Sequence, residues 1–179
     1  MTVNNPINRV EEWRWECIKL TYNSNVETDT GWDLPKYGEV DPYSMMVFVQ
    51  TIDATETLEV GLLSSESGGD ADGFLDAISI ATAGWVRPAM TFTKGSSQYY
   101  VSACTWGEYF FDLDNTGATS KGLAGADGAG TAGQPFLESH IGDGTAKSLT
   151  YTCTAGSDTF VGFLMFRWRQ LPDLTGFLL

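Results

Sequence analysis

The sequence predicts an all-β fold, a β-sandwich or jelly-roll-like domain with long loops and at most one short helix. Three observations carry that prediction. Short runs of alternating apolar and polar residues recur along the chain. Glycine occurs 20 times and interrupts these runs at turn-like intervals. Aromatic residues reach 13% while charged residues reach only 18%, a balance that suits short strands joined by tight turns. A chain of 179 residues is long enough to bury a core without disulfides or metals, so residues 1–179 are expected to form one domain. Its appendages are an N-terminal segment (1–12), a Gly-rich loop (115–133) and an apolar C-terminal tail (170–179).

Taken in order, Trp13 to Tyr22 alternates, with apolar residues at odd positions up to Cys17 and at even positions from Ile18. That phase change predicts a bulge, or a strand passing between two sheets. Asn23 to Pro42 reads as a turn-rich loop broken by Gly31, Pro35 and Gly38 and pinned by Trp32, Leu34 and Tyr37. Tyr43 to Ile52 is apolar on both faces, as in a central strand covered on each side. Leu58 to Leu62 alternates again, and Ser64 to Gly73 forms a loop.

Phe74, Leu75, Ile78 and Thr82 fall near helical spacing and predict a short helix over Phe74 to Ala83, stopped by Gly84. Gln98 to Cys104 and Trp106 to Leu113 read as strands with a kink at Gly107. Asn115 to Gly133 has too few apolar residues for a core of its own and is expected to be an exposed loop or arm. Leu149, Tyr151 and Cys153 mark a half-buried strand, and Thr159 to Trp168 is expected to pair with it as a terminal hairpin.

Charge excludes several function classes. The formal net charge is −13 and the isoelectric point is near 4.2, so the surface repels phosphate backbones and anionic lipid, and neither nucleic acid nor membrane is expected as a direct partner. Phe160 to Phe166 is far shorter than the roughly 20 apolar residues that span a bilayer. The first residues show no signal-peptide pattern.

Candidate chemistry is sparse. Cys17, Cys104 and Cys153 are an odd number without paired spacing, which disfavours a disulfide framework or zinc site; Cys17 and Cys153 are expected to be small buried hydrophobes. His140, the single histidine, has no triad or metal pattern around it and is expected to be an ordinary surface residue. Asp70, Asp72 and Asp76 are the candidate metal ligands, with calcium the natural cation for carboxylate oxygens. The competing expectation is that they shape a tight turn, since the EF-hand spacing is incomplete. Glu108, Asp112 and Asp114 raise the idea of a glycosidase-like acid pair, although turn formation explains them as well. Phosphate loops, dinucleotide fingerprints and nucleophile elbows are missing from the sequence. No catalytic or cofactor-binding residue is therefore assigned, and the chain is expected not to be an enzyme. The six tryptophans are expected in cores or interfaces more than on sugar-stacking platforms.

Leu58 to Leu63, Gly68 to Ala77 and Ala81 to Gly84 together resemble small structural proteins encoded in tailed-bacteriophage head-gene modules. The closing run Phe160 to Trp168, with its Leu171-Pro172 exit, is similar to the end of such proteins. The resemblance covers about 30 residues, and no catalytic residue carries over. It implies a virion structural protein of the capsid decoration, or cement, type. Such a protein would be made in the host cytoplasm, sit on the capsid exterior, bind the major capsid protein, brace capsomer contacts and form a homo-oligomer, with a trimer favoured. Trp13 and Trp15 near the N-terminus, and Phe177, Leu178 and Leu179 in the tail, are the residues expected to meet a partner. Two other readings stand beside it: a carbohydrate-binding β-sandwich module on a virion or cell surface, and another head–tail component.

Overall fold

A computed structural model of the chain describes residues 12–52, 57–94, 99–107, 109, 121–122, 140–141, 145–154 and 159–171. The described residues hold strands and no helix: β1 (Arg14–Thr21), β2 (Thr28–Leu34), β3 (Gly38–Thr51), β4 (Thr57–Leu62), β5 (Leu75–Ser79), β6 (Gly84–Val86), β7 (Met90–Lys94), β8 (Tyr99–Cys104), β9 (Lys121–Gly122), β10 (His140–Ile141), β11 (Lys147–Cys153) and β12 (Val161–Gln170). The all-β prediction holds.

Two antiparallel sheets make the sandwich. In the first, β12 lies between β1 and β3, and the far side of β3 pairs with β10 at one end and β6 at the other. The second runs β2-β11-β4-β5. A smaller sheet, β7-β8-β9, stands apart from both. One buried cluster joins the inner faces: Leu20, Val40, Val47, Val49, Leu164 and Phe166 from the first sheet, and Leu34, Leu58, Val60, Leu62, Leu149 and Tyr151 from the second. Trp32 crosses the gap edge-on to Phe166 and Trp168, with ring centroids 5.1 and 5.7 Å apart. From the second sheet, the Tyr151 hydroxyl donates to the Thr21 carbonyl at 3.0 Å.

Several local expectations are corrected. The segment read as a helix contains β5. Ala77 adopts a left-handed φ of 51°, so Leu75 and Ile78 both turn inward although they are three residues apart. A kinked strand thus imitates helical spacing. Gly84 ends no helix; its φ of 108° leads into β6.

The predicted phase change in β1 is absent, because β1 pairs with β12 in unbroken register from Arg14↔Trp168 to Thr21↔Val161. Trp15 and Cys17 are simply on the outer face, so Cys17 is exposed while Cys153 is buried as expected. The re-phasing occurs in β3 instead. Asp41 pairs with Arg167 and Met46 with Met165, leaving residues 42–45 opposite Phe166 alone. Ser44 Oγ holds this bulge together, accepting from Arg167 N at 2.7 Å and donating to the Asp41 carbonyl at 2.7 Å.

The stretch read as the Asn23 to Pro42 loop contains β2 and the start of β3. Nor do β11 and β12 form a hairpin: they belong to opposite sheets, with Phe160 buried between them in sequence. Of the run Trp106 to Leu113, Trp106 makes a single bridge to Leu75; residues 108 and 110–113 lie outside the described residues. So does the Gly-rich loop apart from β9, and so do residues 1–11 and the tail from 172 onward.

The loop after β4 folds back on the sheet through main-chain contacts. Leu62 N donates to the Asp70 carbonyl at 2.7 Å and Phe74 N to the Val60 carbonyl at 2.9 Å. Gly61 permits this approach, since a Cβ there would lie 1.9 Å from the Asp70 carbonyl oxygen. Gly61→Ala forces main chain against main chain and is expected to cost at least about 1–3 kcal/mol, the scale of overpacking in a filled core. Urea unfolding measures it, and an unchanged midpoint would contradict the packing described.

Candidate assembly surface

The two outer faces of the sandwich differ in chemistry. On the second sheet, Ser148, Thr150 and Thr152 of β11 point away from the core, yet Thr150 and Thr152 are buried. Carboxylates brought in by neighbouring loops satisfy this face. Glu27 accepts from Thr150 Oγ1 at 3.1 Å, from Ser64 N at 2.8 Å and from Ser64 Oγ at 2.5 Å. Glu66 accepts from Ser148 N at 3.0 Å and from Ser148 Oγ at 3.2 Å. Lys147 Nζ bonds the Ser67 carbonyl. This side is covered, polar and paired.

The outer face of the first sheet carries an apolar stretch with charged groups at its end. With Leu20, Leu164, Phe166, Val47 and Val49 turned inward, the alternation sends the intervening residues outward. The strand registers then set them in rows. One row crosses four strands as Lys19, Phe163, Phe48 and Trp85, with Phe48 and Trp85 ring centroids 5.1 Å apart. The next crosses three strands as Cys17, Met165 and Met46. Trp15 and Trp85 remain 53% and 57% exposed at opposite sides of this face.

One end of the face is a ladder of alternating tryptophan and arginine. The Arg167 guanidinium lies 5.6 Å from the Trp13 ring centroid and 5.7 Å from that of Trp15, and Arg169 lies 4.5 Å from Trp13. Behind the rings, Arg167 pairs with Asp41 and Arg169 with Glu39. Each arginine is therefore held by a carboxylate on β3 and an aromatic face beside β1, which fixes the rings in place. Asp41 also accepts from Tyr43 N at 3.0 Å, so the β3 bulge and the ladder share one carboxylate.

The predicted metal ligands sit elsewhere, Asp70 and Asp72 on the loop that straps the second sheet and Asp76 in β5. Among the described residues no three His, Cys, Asp or Glu side chains gather as a metal site. The Asp70 main chain serves the strap, its carbonyl accepting from Leu62 N and Gly73 N. Burial first, then the charges of Asp72 and Asp76, push the Glu59 carboxyl above the usual glutamate range. For Glu27, burial pushes upward, but the bonds from Ser64 and Thr150 together outweigh it and hold the carboxyl below that range.

Of the residues expected to meet a partner, Trp13 and Trp15 stand on the outer face, and Phe177, Leu178 and Leu179 lie outside the described residues. His140 is in β10, opposite Val40. Sequence reasoning missed Met46, Phe48, Trp85, Phe163 and Met165 as surface residues. Their signal was present as strands apolar on both faces, which implied a cover on each side; within the described residues the sandwich core supplies only one.

No family model matches the chain, and no curated protein matches it. Among solved structures, the chain is similar to one in the acidic stable capsid structure of Helicobacter pylori bacteriophage KHP30, at 11% identity and a TM-score of 0.42, covering 92% of each chain. It is also similar to one in the capsid asymmetric unit of cyanophage Pam1, at 12% identity and a TM-score of 0.44, covering 91% of this chain and 87% of that one. Overlaps at these values identify no family.

Because its folded pKa is raised, Glu59 ionised at neutral pH opposes folding, and the opposition fades as pH falls and the folded protein takes up the proton first. Glu59→Gln is expected to raise Tm at pH 7, with the gain shrinking toward pH 4. Glu27 has the opposite sign: its contribution is present above the ordinary carboxylate range and is lost as pH falls through its depressed pKa. Glu27→Gln should lower Tm at pH 7 and converge with the parent in acid. Thermal melts across pH check both, and equal offsets at all pH values would refute the assignment. The same melts with added calcium and with chelator test the cation proposed for Asp70, Asp72 and Asp76; a Tm indifferent to both removes it.

Proposed function

We propose that this protein is a virion structural component of the capsid decoration type, which lays the outer face of its first sheet on the outer shell and stabilises capsomer contacts there. The observation that carries the proposal is the apolar row Phe163, Phe48 and Trp85, flanked by the Trp13, Trp15, Arg167 and Arg169 ladder, on a protein whose other face is polar and internally paired. A rigid sheet bearing aromatic and methionine side chains offers a core for a protein interface, and stacked arginines supply an adaptable polar rim. The net charge of −13 suits the side left facing solvent, where repulsion keeps unassembled copies apart. The sequence resemblance to phage head structural proteins points to the major capsid protein as the partner and the capsid exterior as the location. In this role the protein needs no catalytic group and no cofactor.

A sugar-binding module is the second reading, favoured by the exposure of Trp15 and Trp85. The ladder weighs against it, because Arg167 already occupies space over the Trp15 ring, leaving less aromatic face for a sugar to stack on.

Co-sedimentation with empty shells tests the proposal. The protein is expected to pellet at a fixed ratio to the shell subunit, and Phe48→Glu with Phe163→Glu should reduce apparent affinity about 1,000-fold, as expected for losing two hot-spot side chains worth about 2 kcal/mol each. Circular dichroism confirms that the double variant is folded. Absence of parent protein from the pellet, or unchanged binding by the folded variant, would count against a shell role, and binding to a glycan array would then favour the second reading.

A further inference from the structure

The outer edge of the first sheet is β1, and within the described residues no strand lies beyond it. Edges of this kind are usually blunted by bulges, kinks or shortness, because unpaired main-chain groups invite another strand. The other described sandwich edges are blunted. β2 carries Gly31 at a φ of 75° and a register shift against β11; β5 carries Ala77 at a φ of 51° and a register shift against β4. β10 and β6 are two and three residues long. β1 has no bulge, kink or proline and runs eight residues in unbroken register; of the edge devices it carries only charged side chains, Arg14, Glu16 and Lys19.

Which main-chain groups face outward is fixed by two contacts. Tyr22 N donates to the Phe160 carbonyl at 3.0 Å, so even-numbered residues turn their main chain toward β12 and odd-numbered ones turn it away. Thr21, the last odd residue of the strand, is capped by Tyr151, whose hydroxyl donates to its carbonyl at 3.0 Å and lies 3.5 Å from its nitrogen. Among the described residues, the outward groups left along β1 belong to Trp15, Cys17 and Lys19.

We propose that β1 pairs antiparallel with β1 of a second copy of this chain, about a two-fold axis at Cys17. In this register Trp15 faces the partner's Lys19, Cys17 faces the partner's Cys17, and Lys19 faces the partner's Trp15. Every outward main-chain group of the three residues is then used. A two-fold normal to the sheet also keeps faces continuous, so odd side chains meet odd ones, and each lysine lies across from an indole, a favourable cross-strand pair. Moving the axis to residue 16 sets two Glu16 residues against each other, and moving it to residue 18 sets Trp15 against the capped Thr21. The self-complementary register is what selects a second copy over an unrelated strand.

This pairing rests on reading the chain as an assembly protein, and it joins two apolar outer faces into one surface. The contact closes after two copies, so the trimer implied by the family resemblance would need a different surface.

Light scattering of the purified full chain, without shells, is expected to give about twice the 19.5 kDa chain mass. A short bis-maleimide should join two copies through Cys17 and should fail on Cys17→Ser. In that serine background, a Trp15→Cys copy mixed with a Lys19→Cys copy should cross-link to the other kind more than to itself. Cys17→Pro removes an outward N–H while sparing the bonds to β12, as edge strands allow, and should shift the mass to a single chain. If that variant does not fold, Cys17→Asp sets like charges across the axis and should do the same. A monomer or trimer without the Cys17 cross-link, a dimer unaffected by a folded Cys17→Pro or Cys17→Asp, or an edge that pairs only with another protein's strand would each overturn the proposal. Shell binding by a monomer would overturn the dimer alone, whereas a dimer that ignores shells would overturn the shell role alone.

Discussion

Everything on the assembly surface depends on the alternation of β12 between its two neighbours. Leu164 and Phe166 enter the core with no exposure, and that burial holds the strand in register with β1 and β3. A slip of one residue would send both side chains into solvent and pull Met165 and Arg167 inside, at a cost of several kcal/mol for the exposed apolar groups and the buried charge. The core therefore fixes the surface: because Phe166 must go in, Phe163, Met165, Arg167 and Arg169 must go out.

The bulge in β3 makes the two ends of that surface different. Before it, Val40 faces the core and Glu39 and Asp41 face out; after it, Met45, Val47 and Val49 face the core and Met46 and Phe48 face out. Four residues opposite one change the parity of the strand, so a single strand presents carboxylates at one end and apolar groups at the other. The carboxylates hold the arginines, the arginines stack on the tryptophans, and the apolar end continues into Trp85. Ser44 and Asp41 supply the hydrogen bonds that the interrupted ladder would otherwise lack.

The second sheet solves the same packing problem in the other way. Its outward Thr150 and Ser148 donate to Glu27 and Glu66, brought in by two neighbouring loops, and Thr150 and Thr152 are buried. One sandwich thus combines a polar, hydrogen-bonded face with one that carries exposed apolar side chains. Under the proposed role, this asymmetry would confine docking to one face, since a two-sided apolar sandwich would aggregate and a two-sided polar one would have nothing to dock.

Alternation and glycine spacing in the sequence by themselves determined the all-β class and the strands at 58–62 and 149–153, and residue type alone showed that familiar catalytic motifs are missing. These are local properties, set by periodicity and residue type within a few neighbours. Only the tertiary structure decided which side of each strand is inside. Trp15 and Cys17 look as apolar as Ile18 and Leu20, and Phe48 as apolar as Val47, so composition cannot say which of each pair is covered. The positive φ at Ala77 made a strand look helical, the bulge opposite Phe166 moved the phase change from β1 to β3, and β11 and β12 parted into different sheets although they are sequence neighbours. Each outcome was decided by contacts between residues far apart in the chain, whose joint burial outweighs any local preference.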